Sequence, residues 1–188
     1  MALQSISIGT TANDGTGTNL REAFDICNDN FTEVYSSGTA ALAYKLEGTN
    51  FTGSLLVGHS TTGTISSAEY NTGIGISTLD ALTSGDRNVA VGALAGTNIS
   101  SGGSNTLVGS NAGDALTTGS HNIAIGHNAL GAEDGNGRNV AIGYQALLVQ
   151  NAGADAYNIA IGYNTGVAVS TGIRNIIIGA EAGDALTT

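Results

Sequence analysis

The chain repeats one short segment, Asn122-Ile123-Ala124-Ile125-Gly126, as Asn139-Val140-Ala141-Ile142-Gly143 and Asn158-Ile159-Ala160-Ile161-Gly162. More degenerate copies extend the pattern in both directions. The asparagines that open the copies are Asn71, Asn88, Asn105, Asn122, Asn139, Asn158 and Asn175. The spacing between successive anchors is 17, except for a spacing of 19 between Asn139 and Asn158. Ser54 precedes Asn71 by the regular spacing and opens a first degenerate copy. A fixed period of this size is typical of solenoids and repeat arrays.

Within each copy the apolar residues step by two. With the anchor as position zero, positions one and three are β-branched or Leu in most copies, and position two is usually Ala. Alternation places positions one and three on one face of a strand and position two on the other. We predict a solenoid core formed by Val89, Val91, Leu107, Ile123, Ile125, Val140, Ile142, Ile159, Ile161, Ile176 and Ile178.

Glycine marks the turns of each copy. Position four is always Gly, which indicates a backbone angle or a close approach that a Cβ would forbid. A second, weaker apolar segment carries Ala at position seven and often Leu, Ile or Val near position eleven, and Gly near position fourteen follows. We therefore predict a β-solenoid coil of two short strands and two turns; a helix is excluded by the step of two and the glycines. The position-four glycines are Gly58, Gly75, Gly92, Gly109, Gly126, Gly143, Gly162 and Gly179.

Two further predictions concern the anchors and the irregular spacing. The asparagines either form a ladder of amides bonded from coil to coil or simply reflect turn preference, and both interpretations remain open. The two surplus residues between Asn139 and Asn158 fall within 148–153. They should bulge at a turn, because a wider strand would break the stacking of the coils.

Composition excludes several functional classes. The 188 residues include 29 Gly, no Pro and 11% charged residues, with a net charge of -10. Nucleic-acid and anionic-membrane binding both need a basic face, so neither is expected. No apolar run is as long as a membrane-spanning helix requires and no signal peptide is visible, which predicts synthesis in the cytoplasm without membrane insertion. The single cysteine, Cys27, excludes an intrachain disulfide.

The sequence before the repeats divides into an arm at 1–18, an amphipathic helix at 19–36 and a connector at 37–53. Asn19 and Glu22 form a capping-box pattern at the start of the helix. Its apolar residues follow heptad spacing, which favours self-association over docking on its own domain. Residues 39–53 could be helix or strand. The predicted helix seam is Leu20, Phe24, Cys27, Phe31 and Val34.

The repeats at 54–188 stop within a coil. Residues 183–188 repeat residues 113–118, which continue to another anchor. A solenoid needs a cap over its open edge. We expect the natural protein to continue beyond Thr188.

Two parts of the chain resemble known families. Residues 8–17, followed by Leu20-Arg21-Glu22-Ala23-Phe24 and residues 30–35, resemble the amino-terminal module of bacteriophage tail fibre proteins. The Asn-Val-Ala-Ile-Gly repeats resemble both tail fibre shafts and the β-roll head of trimeric autotransporter adhesins, whose coil is usually shorter. Both resemblances imply a homotrimer with the Ala face or the second strand at its axis.

We find no catalytic, metal or cofactor motif in the sequence, and we predict that the protein is not an enzyme. His121 and His127 are interpreted as solvent-facing, and Asp80, Asp114 and Asp184 as solvated turn residues in non-adjacent coils. A β-solenoid depolymerase would need longer coils and paired acids, and a Thr-rich ice-binding face would need a Thr-x-Thr column.

The resemblance predicts a structural virion component, a trimeric tail fibre made in the host cytoplasm. Residues 1–35 would bind a tail, baseplate or adaptor protein, and a tip beyond Thr188 would bind the host receptor. The alternative is the head of a surface adhesin, which the missing signal peptide disfavours.

Overall fold

The computed structural model describes residues 44–45, 54–57 and 66–188. The predicted arm at 1–18 and the helix at 19–36, with its seam Leu20, Phe24, Cys27, Phe31 and Val34, lie outside these residues. The same holds for most of the connector and for Gly58. Within the connector, Tyr44–Lys45 forms a short strand.

Nine short strands in the described part of the chain form one sheet in chain order. The first pair is antiparallel, and all later neighbours are parallel and in register, as in Val89 opposite Thr106. Each parallel strand lies one repeat beyond the last, so the chain forms a stack of coils. The predicted β-solenoid is confirmed, and its coils have the length that the anchor spacing predicts. The strands are β1 (Tyr44–Lys45), β2 (Leu55–Val57), β3 (Thr72–Ile74), β4 (Val89–Val91), β5 (Thr106–Val108), β6 (Ile123–Ile125), β7 (Val140–Ile142), β8 (Ile159–Ile161) and β9 (Ile176–Ile178).

Each complete coil within 71–174 contains one strand rather than the predicted two. The second apolar segment forms turns, because residues at positions six and eight adopt left-handed backbone angles. Examples are Leu94 (φ 61°) and Gly96 (φ 57°) in one coil, and Asn128 and Leu130 (both φ 55°) in another. Alternating left-handed residues cannot continue an extended strand. The prediction of a second strand is therefore wrong.

The core lies on the opposite face of the strand from the one predicted. Position two points inward: Ala90, Leu107 and Ala124 are fully buried. Positions one and three point outward, and Val89 and Ile123 remain 39% and 37% exposed. Leu107 belongs to the core because it occupies position two. The core assignment is wrong for Val89, Val91, Ile123, Ile125, Val140, Ile142, Ile159, Ile161, Ile176 and Ile178, which lie on the outer side of the strands.

The narrow interior explains this orientation. The wall opposite the strand contributes buried side chains from positions seven and eleven, such as Ala112 and Leu116. Where position two carries the larger Leu107, position eight of the same coil is Gly113. A Cβ built on Gly113 would lie 2.9 Å from Leu107 Cδ2 and 2.8 Å from Leu116 Cδ1. The coil therefore has room for a small residue at position two, or for a larger one facing glycine.

The surplus of two residues bulges outward from the coil at 139–157. Residues 151–155 are mostly exposed, and no atom lies within 4 Å of a Cβ built on Gly153. Strands β7 and β8 stay in register, with Val140 opposite Ile159. The prediction of a bulge at a turn is confirmed.

Among the described residues, no helix has the length and hydropathy of a membrane span.

Candidate functional site

The anchor asparagines from Asn71 to Asn122 form a ladder of side-chain amides inside the solenoid. The backbone N and the Nδ2 of Asn105 both donate to Asn88 Oδ1, at 3.0 Å each. Asn105 Nδ2 also donates to the Gly119 carbonyl at 2.9 Å. In turn, Asn105 Oδ1 accepts from the backbone N and the Nδ2 of Asn122, at 2.9 and 3.2 Å. These anchors are fully buried. Of the two open interpretations, the amide ladder is the one observed.

The same anchors do not all bond in the same way. Asn158 N donates to Asn139 Oδ1 at 3.2 Å, but Asn158 Nδ2 donates to Gln150 Oε1 at 2.9 Å. Asn139 Nδ2 has no hydrogen-bond partner in the described part of the chain. The ladder is therefore modified in the coil that carries the two extra residues. The last anchor, Asn175, donates its backbone N to Asn158 Oδ1 at 2.8 Å.

The position-four glycines allow neighbouring coils to approach closely. Their φ angles lie between 127° and 144° in the described copies. A Cβ built on Gly109 would lie 2.6 Å from the Gly126 carbonyl oxygen, and one built on Gly92 would lie 2.5 Å from the Gly109 carbonyl oxygen. Both the backbone angle and the stacking distance therefore require glycine. These copies are Gly75, Gly92, Gly109, Gly126, Gly143, Gly162 and Gly179.

Glu133 is a charged residue in the otherwise largely apolar interior. It occupies position eleven, where preceding coils carry Leu116 and Ile99, and it is fully buried. Its Oε1 accepts from the backbone N of Asn136 at 3.2 Å. Burial raises the pKa of this carboxyl, and the hydrogen bond from Asn136 opposes that effect.

The outer side of the strands forms a large exposed apolar surface. We define the outer face as the residues immediately before each anchor and those at positions one, three and five, within the described residues. The described residues include sixteen exposed large hydrophobic side chains, and twelve of them lie on the outer face. None of the nine Asp and Glu residues of 66–188 lies on the outer face. The twelve are Tyr70, Ile74, Ile76, Val89, Ile123, Ile125, Tyr144, Tyr157, Ile161, Tyr163, Ile176 and Ile178.

Cationic and aromatic side chains line one margin of the outer face. All three arginines of 66–188 immediately precede an anchor. Arg87 lies over the ring of Tyr70, and Arg138 over that of Tyr157, each 5.6 Å from the ring centroid. Arg138 Nε also donates to Asp155 Oδ2 at 2.7 Å, which lowers the pKa of that carboxyl. Because these side chains are exposed, the Arg138–Asp155 ion pair and the two contacts between arginine and tyrosine each contribute little to stability.

Three stacked rings line the opposite margin. His127 stacks on Tyr144 with centroids 5.5 Å apart, and Tyr144 stacks on Tyr163 at 5.2 Å. Sequence reasoning treated His127 as an isolated solvent-facing residue and missed this stack. The sequence contains a signal for this stack, because the three residues share position five in successive coils. His121 and His127 are both exposed.

No family model, curated protein or solved structure matches this chain. Among the described residues, no group of three or more His, Cys, Asp and Glu side chains could hold a metal ion. The most distinctive features are therefore the internal ladder and the outer face.

Proposed function

We propose that the protein is a structural virion component, the shaft of a bacteriophage tail fibre. The observation that carries this proposal is the uninterrupted stack of coils from Asn71 to Asn175, each joined to the next by strand pairing and by a hydrogen bond from the backbone N of one anchor to the Oδ1 of the anchor before it. The resemblance of residues 8–35 to tail fibre amino-terminal modules supports the same assignment. Such a shaft holds a recognition element away from the particle that carries it.

The stack supports a role as a stiff spacer. Bending between two coils would strain the parallel strand pairs, the turn hydrogen bonds and the ladder together. At β5 and β6, for example, Ile125 pairs with Val108, and Gly126 N donates to the Val108 carbonyl at 2.8 Å. Each coil adds about 4.8 Å, the spacing of adjacent strands. Length is thus set by the number of repeats, and stiffness by contacts between nearest neighbours.

The outer face supports assembly as a homotrimer. Eight parallel strands spaced by about 4.8 Å, and a width of about six residues, give a surface of about 700 Å². The largest apolar patch of a typical monomer measures about 300–600 Å², and a standard interface buries about 800 Å² per partner. The Ala face cannot lie at a trimer axis, because Ala124 and its equivalents are enclosed within the coil. The proposed contact between copies is therefore the outer face.

The remaining parts of the proposal concern partners. Residues 1–35 bind a tail, baseplate or adaptor protein, and the fibre binds the host surface receptor. The chain is made in the host cytoplasm, resides in the virion tail, has no catalytic role, and binds neither nucleic acid nor membrane. The acidic net charge of -10 fits the last point.

Deletion of residues 1–35 is expected to abolish incorporation of the chain into virions. The physical reason is that the attachment segment is lost while the stack of coils remains. The measurement is immunoblotting of purified virions, with the intact chain as control and circular dichroism to show that the truncated chain retains β-structure. Normal incorporation of a folded truncated chain would overturn the attachment proposal.

Charge placed on the outer face is expected to separate the copies. The intact chain should sediment at about 56 kDa, three times 18.6 kDa. The double variant Ile142→Asp/Ile161→Asp should sediment as a monomer, because it places carboxylates at position three of adjacent coils within the interface. Analytical ultracentrifugation measures the masses of the intact chain and of the double variant.

The matched control for this prediction is Leu94→Asp/Val149→Asp. Both of these side chains are exposed, at 41% and 40%, and both lie off the outer face. The control should remain trimeric. A monomeric intact chain, or a trimer in the Ile142/Ile161 variant, would contradict assembly through this face.

A further inference from the structure

Of the five buried side-chain nitrogen and oxygen atoms that have no hydrogen-bond partner among the described residues, three lie in two successive coils. They are Glu133 Oε2, Asn139 Nδ2 and Gln150 Nε2, and all three residues are fully buried. One atom is an acceptor and two are donors. Burying such atoms without partners is costly, so their occurrence in one region calls for a physical account.

The stacking of the coils brings these side chains together. Glu133 and Gln150 both occupy position eleven, in successive coils that are spaced by about 4.8 Å. Leu130 N donates to the Ala146 carbonyl at 2.9 Å, which shows that the walls carrying Glu133 and Gln150 are stacked. Asn139 and Gln150 share Asn158 as a donor, at 3.2 and 2.9 Å. The three side chains, which we call the polar chamber, therefore lie buried at neighbouring positions of two stacked coils.

The bulge explains why polar residues occur at this place. In a regular coil the anchor Nδ2 donates to the carbonyl at position fourteen, as Asn105 does to Gly119 at 2.9 Å. In the coil at 139–157 the chain bulges outward after Gln150, and Asn139 Nδ2 makes no such bond. Gln150 replaces the aliphatic residue of position eleven and supplies an amide to the ladder. The irregular coil has lost a carbonyl acceptor and gained polar side chains.

We propose that the polar chamber binds one water molecule that bridges Glu133, Asn139 and Gln150. The water accepts hydrogen bonds from Asn139 Nδ2 and Gln150 Nε2 and donates one to Glu133 Oε2. Three hydrogen bonds are the usual number for a buried water. The bridge joins the coil at 122–138 to the coil at 139–157 and replaces the missing bond of the ladder. The site lies within one chain and does not depend on the tail fibre proposal.

A high-resolution crystal structure of the whole chain tests the proposal directly. The expected result is one density peak at about 2.7–3.2 Å from each of the three atoms. Direct hydrogen bonds from Asn139 Nδ2 and Gln150 Nε2 to Glu133 Oε2, with no density between them, would overturn it.

Oxygen-17 relaxation dispersion of water tests the site in solution, because it counts long-lived internal waters. The variant Glu133→Leu/Gln150→Leu restores the aliphatic residue of position eleven and should hold one water fewer per chain than the wild type. The matched control Ile99→Leu/Val169→Leu changes position eleven in two apolar coils and should leave the count unchanged. If the double variant does not fold, Gln150→Leu alone serves the same comparison. An equal count in wild type and folded variant would overturn the proposal.

Discussion

Asn105→Ala is expected to lower the free energy of unfolding by about 3–5 kcal/mol, because it interrupts the amide ladder within the stack. Asn105 Nδ2 donates to Asn88 Oδ1 and to the Gly119 carbonyl, and Asn105 Oδ1 accepts from two nitrogens of Asn122. Alanine would leave these groups buried in an interior that bulk water does not reach. Each abandoned buried partner costs about 1–3 kcal/mol. Urea denaturation followed by circular dichroism measures the loss.

Asn98→Ala is the matched control for the ladder. Asn98 is an exposed asparagine whose Nδ2 donates to the Asp114 carbonyl in the next coil at 2.7 Å. Its loss should cost less than about 1 kcal/mol, because water replaces the side chain as the donor. Similar losses from the two variants would mean that burial of the anchors contributes nothing, and would contradict the ladder as a stabilising feature.

Gly109→Ala is expected to cost about 3 kcal/mol or more and to disrupt stacking at β5. Gly109 has a φ of 133°, which L-residues rarely adopt. The added methyl group would also lie 2.6 Å from the Gly126 carbonyl oxygen, and a backbone atom cannot move away as a flexible side chain can. The backbone strain and the collision with the carbonyl oxygen therefore both lower the free energy of unfolding. The measurement is thermal unfolding of the purified variant.

Gly153→Ala separates the two contributions. Gly153 has a φ of 69°, and nothing lies within 4 Å of its Cβ position. The free energy of unfolding of this variant should fall by only about 1 kcal/mol, which is the cost of placing an L-residue in a left-handed conformation. If Gly109→Ala were no more damaging than Gly153→Ala, the close approach of neighbouring coils at position four would be refuted.

Periodicity predicted the parts of the fold that depend on local chain geometry. The spacing of the anchors predicted the coil length, and the step of two predicted the strands, such as Ile123–Ile125. The longer interval between Asn139 and Asn158 predicted a bulge outside the strand. Glycine at position four predicted a backbone angle closed to other residues. Each of these follows from the backbone preferences of the residues themselves or from the need to keep equal coils in register.

The choice of the buried face was not predictable in the same way. Alternation in Val140-Ala141-Ile142 distinguishes two faces of a strand without stating which one lies inside. Larger apolar residues are usually the buried ones, so the outer face was assigned to the core. In a closed coil the opposite wall already fills the interior, and Ala141 fits where a larger residue does not. The pairing of Leu107 with Gly113 in one coil was the sequence signal for this limit.

The sequence by itself determined the repeat length, the positions of the repeated strands β2 to β9 and the glycine turns at position four, because these depend on local backbone geometry and on a period that can be counted. The tertiary structure alone decided that the β-branched residues form the outer face, that the anchor amides bond from coil to coil, and that Glu133 is buried in the coil preceding Asn139 and Gln150. These features depend on the width of the coil and on contacts between residues a full repeat apart, which exist only once the coils are stacked.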